Sequence, residues 1–388
     1  METTSVIQKP QQKKQKLNEE EDIDENSKSL GNLPQEILRH ILSFLPTKDA
    51  VRISLVSKRW EYLWASIPNL DFNVYRISRN KTRKRTPLFE RTLFMNFVDR
   101  VLCLRDSSDI KRFTLCCDVL HDASRVHTWI SAAIKHNVQE LHIDLENFKG
   151  EFSLPYCLFT SRTLTSLHLR MRCILNLPTT IWFSNLKILT IQNVRFSDEC
   201  LTQQFFSGLP VVEKLRLQYC RWGSLKVVRI SAPNLNFLSI QEYEGEGCQV
   251  MIFGVCLKEF HYSGRLFNEY CLYESIKLEK AEISICCFNA SEQKVHRMYN
   301  LLTGLSNVEF LRLSSLVLRL KLRVLIRGAE LLPHLPMFNN LKNLSLDGFS
   351  VDLDDEALLK ILQRTPCLEN LEFLSVTSLD LDAQCLLS

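Results

Sequence analysis

The sequence predicts an α/β chain: a short three-helix unit followed by a solenoid with a curved parallel sheet. Two observations carry this. Between Leu33 and Trp64 apolar residues fall at helical spacing, and eleven later units repeat apolar residues at i, i+3 and i+5. At 388 residues the chain exceeds what one compact core usually holds, as an array of units would.

Composition narrows the function classes. The chain is 45% hydrophobic and 24% charged, as in folded soluble proteins. Six positive charges of the net +4 lie in residues 76–85, RISRNKTRKR, so the remainder is close to neutral and lacks a broad nucleic-acid footprint. The 14 cysteines form no C-x-x-C pair and most of them read as buried hydrophobes in a reducing compartment, the nucleus or cytoplasm. No metal and no cofactor is expected. No apolar run approaches the ~20 residues of a membrane span.

Residues 1–29 pair a basic patch with an acidic run, contain no aromatics, and are expected to be disordered. The segment LPQEILRHILSFLPTKDAVRISLVSKRWEYLW, 33–64, follows. Pro34 suits a first helical position. Ile37, Ile41 and Phe44 make one stripe, and Leu38, Leu42 and Leu45 a second beside it. Pro46 ends this helix, Thr47 and Ser57 are expected N-caps of the next two, and Trp60 and Trp64 share a face of the third. Some 32 residues cannot bury so much apolar surface among themselves. The cover is either the rest of the chain or a partner. A basic linker, 76–93, leads into the repeats, and its run 79–85 reads as a nuclear-import signal, a phosphate contact or a mobile linker.

The repeat units start at Ile110, Val138, Leu164, Leu186, Val212, Leu235, Leu257, Leu278, Val308, Leu341 and Leu368, at spacings of 21 to 33 residues. Positions i+3 and i+5 share one side of a strand and face the core. Positions i+2, i+4 and i+6 face the other, concave side. The units at Leu257 and Leu278 are weakest, with Tyr262 and Ala281 at core positions. Concave positions supply the candidate target-binding residues His142, Asp144, His168, Arg170, Lys214, Arg216, Gln218 and Arg312, beside Glu140, Ser166 and Phe310. No nucleophile elbow, zinc-helix, P-loop or dinucleotide motif is present, which argues against an enzyme.

The N-terminal unit resembles a plant F-box, in Leu33-Pro34, Ile37-Leu38, Ile41-Leu42, Phe44 to Ala50, Val56 to Trp60 and Tyr62 to Trp64. The repeats resemble leucine-rich repeats, though the Asn or Cys usual three residues after the last leucine is mostly missing, Cys220 being the clear exception. The resemblance implies an F-box over 30–75, a leucine-rich-repeat solenoid over 94–376 and a tail over 377–388. It implies a Skp-type adaptor touching Leu33, Pro34, Ile37, Ile41, Leu45, Pro46, Val56 and Trp60, and through it a cullin scaffold. The implied role is substrate receptor of a ubiquitin ligase. The alternative is an adaptor-bound scaffold or small-ligand sensor, for which a basic pocket of Arg170, Lys214 and Arg216 would speak. LPMFNNLKNLSL and LLKILQRTPCLENLEF resemble the opening of the FBD domain of this family, and the ending at Ser388 leaves that domain truncated or absent. The terminal Cys385-Leu386-Leu387-Ser388 has the form of a farnesylation signal, so Cys385 is a candidate lipid site giving weak membrane anchoring, against which the acidic run SLDLDAQ upstream speaks.

Overall fold

Ile37, Leu38, Ile41 and Leu42 of the two apolar stripes fall on one helix, with Phe44 and Leu45 just past its end, in the computed structural model, which describes residues 33–54, 58–74, 87–118, 122–146, 150–273, 277–285, 291–314, 336–347 and 356–374. Helix α1 is Gln35–Ser43 and α2 is Thr47–Ile53. Three local expectations are corrected. Pro34 stands at the N-cap of α1, one residue before its first turn, where its extended ψ of 149° suits it. Thr47 is the first residue of α2 behind Pro46, and its hydroxyl caps no helix. It accepts a hydrogen bond from the Asp71 amide at 2.7 Å. The expected third helix is two 3-10 turns, Lys58–Trp60 and Leu63–Ser66, which half-bury Trp60 and bury Trp64. Ser57 lies outside the described residues.

The chain then enters the sheet earlier than the repeat pattern announced. Strand β1, Asn69–Asn73, pairs in parallel with β2, Arg112–Asp118. Ile67, Leu70 and Phe72 are buried at i, i+3 and i+5, so the sheet has a twelfth unit hidden behind the helical segment. Between these strands runs α3, Pro87–Leu104. Arg105, 8% exposed, follows it and donates to the carbonyls of Ile67, Ser108 and Asp109 at 2.7, 3.2 and 3.1 Å. One guanidinium fork thus ties the first unit to the second.

The other units follow in order: α4, Ala123–Lys135; β3, Glu140–Glu146; β4, Glu151–Ser153; α5, Tyr156–Phe159; β5, Ser166–Met171; β6, Ile174–Asn176; and β7, Ile188–Gln192. Then come α6, Glu199–Ser207; β8, Lys214–Gln218; β9, Val227–Ser231; β10, Phe237–Gln241; β11, Gln249–Phe253; β12, Glu259–Gly264; and β13, Glu269–Tyr273. The last are β14, Lys280–Ile285; α7, Glu292–Thr303; β15, Phe310–Ser314; β16, Asn343–Asp347; α8, Glu356–Leu362; and β17, Asn370–Leu374. Side chains of Asp122, Asp198 and Ser291 accept from backbone amides of the first turns and cap α4, α6 and α7.

All twelve repeat strands form one sheet in the order β1-β2-β3-β5-β7-β8-β10-β12-β14-β15-β16-β17. Every pairing is parallel and in repeat register, Leu141 against Leu167 against Leu189 against Leu215 against Leu238. These core positions are buried, each contributing roughly 1.5–3 kcal/mol. The weak units hold too: Tyr262 and Ala281 are buried. In the last strand Leu371 and Phe373, at core positions, remain 36% and 37% exposed.

A second layer backs the sheet. Phe183, Phe196, Phe205, Phe206 and Trp222 pack together under β7 and β8, with Phe196 and Trp222 stacked at 5.3 Å. Cys220 takes the role its position suggests: its buried thiol, pushed up to about 12 by desolvation, donates to the Ile191 carbonyl of the preceding unit. Strands β9, β11 and β13 form a separate parallel sheet in this layer, with β4 and β6 a smaller one. Behind β10, the Glu242 carboxylate is buried and accepts from Tyr270 Oη, the amides of Phe267 and Asn268, Asn268 Nδ2 and Tyr262 Oη. Burial raises its pKa, which the bonds from Phe267, Tyr270 and Asn268 oppose.

Candidate functional site

Two surfaces stand out, at opposite ends of the sequence pattern that made them. The first is the open side of α1. Leu38 and Leu42 are fully buried, whereas Ile37 is 46% and Phe44 74% exposed. Pro34 and Pro46 are exposed, and Leu33, Ile41, Leu45 and Trp60 are half-buried. Within the described chain, then, one stripe of α1 is covered and the other is not. Val56 lies outside the described residues. Two exposed residues were absent from the expected adaptor set: Phe44, although it completes the Ile37–Ile41 stripe, and Tyr62, 75% exposed.

The second surface is the concave face, where parallel pairing stacks the i+2, i+4 and i+6 side chains into ladders. His142 and His168 are register partners, their rings stacked at 4.1 Å and 16°. Burial first, then His142 and Arg170, brings the His168 pKa down to about 4; burial likewise lowers His142, against the pull of Asp144 and Asp71. The pair is therefore neutral at physiological pH and presents flat aromatic surface. Beside it Arg170 Nη1 meets Asp144 Oδ2 at 3.2 Å, while buried Asp144 Oδ1 has no hydrogen-bond partner among the described residues.

Toward the C-terminal end the ladders form a charge network that the same offsets would have shown. Glu259 meets His261 at 2.8 Å and Lys280 at 3.1 Å, and Lys280 meets Glu282 at 2.8 Å. Arg312 lies 3.7 Å from both Glu282 and Asp347, too far to hydrogen-bond the latter. Burial raises the Asp347 pKa, against the lowering effect of Arg312.

Between these ends lies β8, with Lys214, Arg216 and Gln218 on the concave side. Arg216 sits over the Phe237 ring at 4.7 Å. Arg170 does not join Lys214 and Arg216: β7 separates them, and Asp144 engages it. Among the described residues, no group of three or more His, Cys, Asp or Glu could hold a metal ion, and no helix is long and apolar enough to cross a membrane. The basic run 79–85 and Cys385 lie outside the described residues.

The chain thus joins a helical unit with an uncovered apolar stripe to a leucine-rich-repeat solenoid with a polar concave face. Comparison with known proteins agrees. A model of the F-box domain matches residues 30–72, and one described as "FBD-associated F-box protein At5g56370, LRR repeats" matches residues 126–283. Among relatives from Arabidopsis thaliana, the putative F-box protein At3g58860 is 30% identical, aligning over 88% of this chain and 73% of its own length. The putative F-box/LRR-repeat protein At3g58880 is 32% identical over 88% and 76%. The F-box/LRR-repeat protein At4g14103 is 29% identical over 89% and 91%. The chain belongs to the plant F-box/leucine-rich-repeat family.

Proposed function

We propose that this chain is the substrate-recognition subunit of a Skp-cullin-F-box ubiquitin ligase, acting in the nucleus, the cytoplasm or both. The observation that carries the reading is the uncovered α1 stripe, with Ile37 and Phe44 exposed directly above the buried Leu38 and Leu42. An apolar stripe of this kind at a family-typical position is what an adaptor would cover. The solenoid then holds a target on its concave ladders. The chain contributes no nucleophile or base of its own; its contribution is proximity, holding target lysines near the ubiquitin thioester.

The test is capture of a purified Skp-type adaptor by the full chain. Changing Leu33 and Pro34 to Ala, or Ile37 and Phe44 to Ser, is expected to abolish capture while circular dichroism stays unchanged. Undiminished capture by both double variants would refute the assignment.

A further inference from the structure

The concave face is not uniformly charged, and among the described residues its cations without a carboxylate partner are central. The three neighbouring strands β7, β8 and β10 present nine side chains in register: Ile188, Lys214 and Phe237; Thr190, Arg216 and Ser239; and Gln192, Gln218 and Gln241. No carboxylate lies among the nine. Elsewhere on the described face each lysine or arginine meets a carboxylate, Arg112 with Glu140, Arg170 with Asp144, Lys280 with Glu259 and Glu282, and Arg312 with Glu282 and Asp347. Lys214 and Arg216 have no ion-pair partner among the described residues. Acids that border them are already engaged: Glu213 with Lys187 at 3.0 Å, and Glu259 with His261 and Lys280.

The neutral members of the grid are donors as well. The side chains of Thr190, Ser239, Gln192, Gln218 and Gln241 make no hydrogen bond within the described chain, while the three amides form a ladder about 5 Å apart on adjacent strands. Stacking on Phe237 fixes the plane of Arg216 and leaves its N–H edges free to bind a second group. Like-charged neighbours at i and i+2 on one strand repel unless an anion sits between them.

We infer that this grid on β8 is a binding site for a phosphomonoester carried by the target, a phosphorylated serine or threonine side chain. The inference rests on the reading of the concave face as the target-binding surface. Charge decides the class of ligand. A phosphomonoester bears about −1.5 to −2 at neutral pH and three acceptor oxygens, which match two cations surrounded by hydroxyl and amide donors. A single carboxylate would leave one of the cations uncompensated. Ile188 and Phe237, flanking Lys214, offer apolar contact to a residue adjoining the phosphate.

The experiment uses the full chain and three immobilised peptide pools, degenerate except for one fixed phosphoserine, serine or glutamate. Retention by the phosphoserine pool is expected at about tenfold lower chain concentration or better, since each charge-assisted contact alone supports a change of that order. Combined Lys214→Gln and Arg216→Gln is expected to abolish this preference, whereas Arg229→Gln on the convex sheet leaves it intact. Equal retention by the serine pool, or equal retention by the glutamate pool, overturns the inference. So does a double variant that keeps the wild-type melting temperature and the wild-type preference. Displacement of the wild-type chain by free O-phosphoserine, but not by serine, needs no variant, and its failure is equally decisive. Adaptor capture is measured on the same preparations: its loss with phosphoserine retention intact refutes the ligase reading alone, and the reverse refutes this site alone.

Discussion

Replacing Thr47 by Val tests how the F-box is joined to the solenoid. Strand β1 is the first of the sheet, paired with β2 along one edge only, so its outer N–H groups need other acceptors. Thr47, fully buried, supplies one of them, accepting from the Asp71 amide at 2.7 Å. Val preserves the shape and removes the acceptor. The loss of a net hydrogen bond and the cost of a half-buried donor left without this partner together come to about 1–3 kcal/mol. Thr47→Ser keeps the oxygen and removes one methyl, a loss of roughly 1 kcal/mol from burial alone. Stability alone separates these two poorly, so the assay is hydrogen exchange at the Asp71 amide beside urea denaturation. Exchange should accelerate at least tenfold in Thr47→Val and stay near wild type in Thr47→Ser. If the Asp71 amide exchanged at the wild-type rate in Thr47→Val, with stability within about 0.5 kcal/mol, the bond would not be what holds the edge.

Arg105→Lys keeps the charge but loses the fork that reaches three carbonyls, and urea denaturation should show a loss on the order of 2 kcal/mol. His168 has a folded pKa of about 4, lowered from 6.5, so below about 6.5 the unfolded chain takes up a proton that the folded chain refuses. Stability from this group is therefore full above 6.5 and falls as pH drops toward 4; His168→Gln should flatten that slope in urea midpoints, and identical slopes would count against the stacked, neutral pair.

The pattern at i, i+3 and i+5 located the repeat strands from Ile110 onward because every unit must bury two side chains on one side of its strand. It failed at Asn69–Asn73 for a physical reason. Ile67, Leu70 and Phe72 carry the same spacing, but they follow Trp64 so closely that helical apolar stripes mask it. The convex strands β9, β11 and β13 were illegible in another way: Val228 and Ile230, Val250 and Ile252, Tyr270 and Leu272 alternate strictly, yet no repeat spacing anchors them. Ladder membership on the concave face was legible wherever a strand was, which placed His142 above His168. Which ladder members neutralise one another was not, since Asp144 and Arg170 meet only because register sets them side by side. The exposure of Phe44 also required the structure, because periodicity shows two stripes without saying which one the chain covers.

Strands β9, β11 and β13 bear on the bending of the whole array. A horseshoe bends because strands on its inner side, about 4.8 Å apart, sit opposite bulkier helices on its outer side. From β8 to β14 the outer side is itself made of hydrogen-bonded parallel strands, so inner and outer repeats advance by the same step. Such a stretch has a smaller wedge to make it bend. Bending is therefore expected to be weaker along this stretch than where helices α4 and α6 back the earlier units. Weaker bending lets side chains of neighbouring strands converge less, so a ligand spanning β8 to β12 would meet a flatter platform than one seated on the helix-backed units.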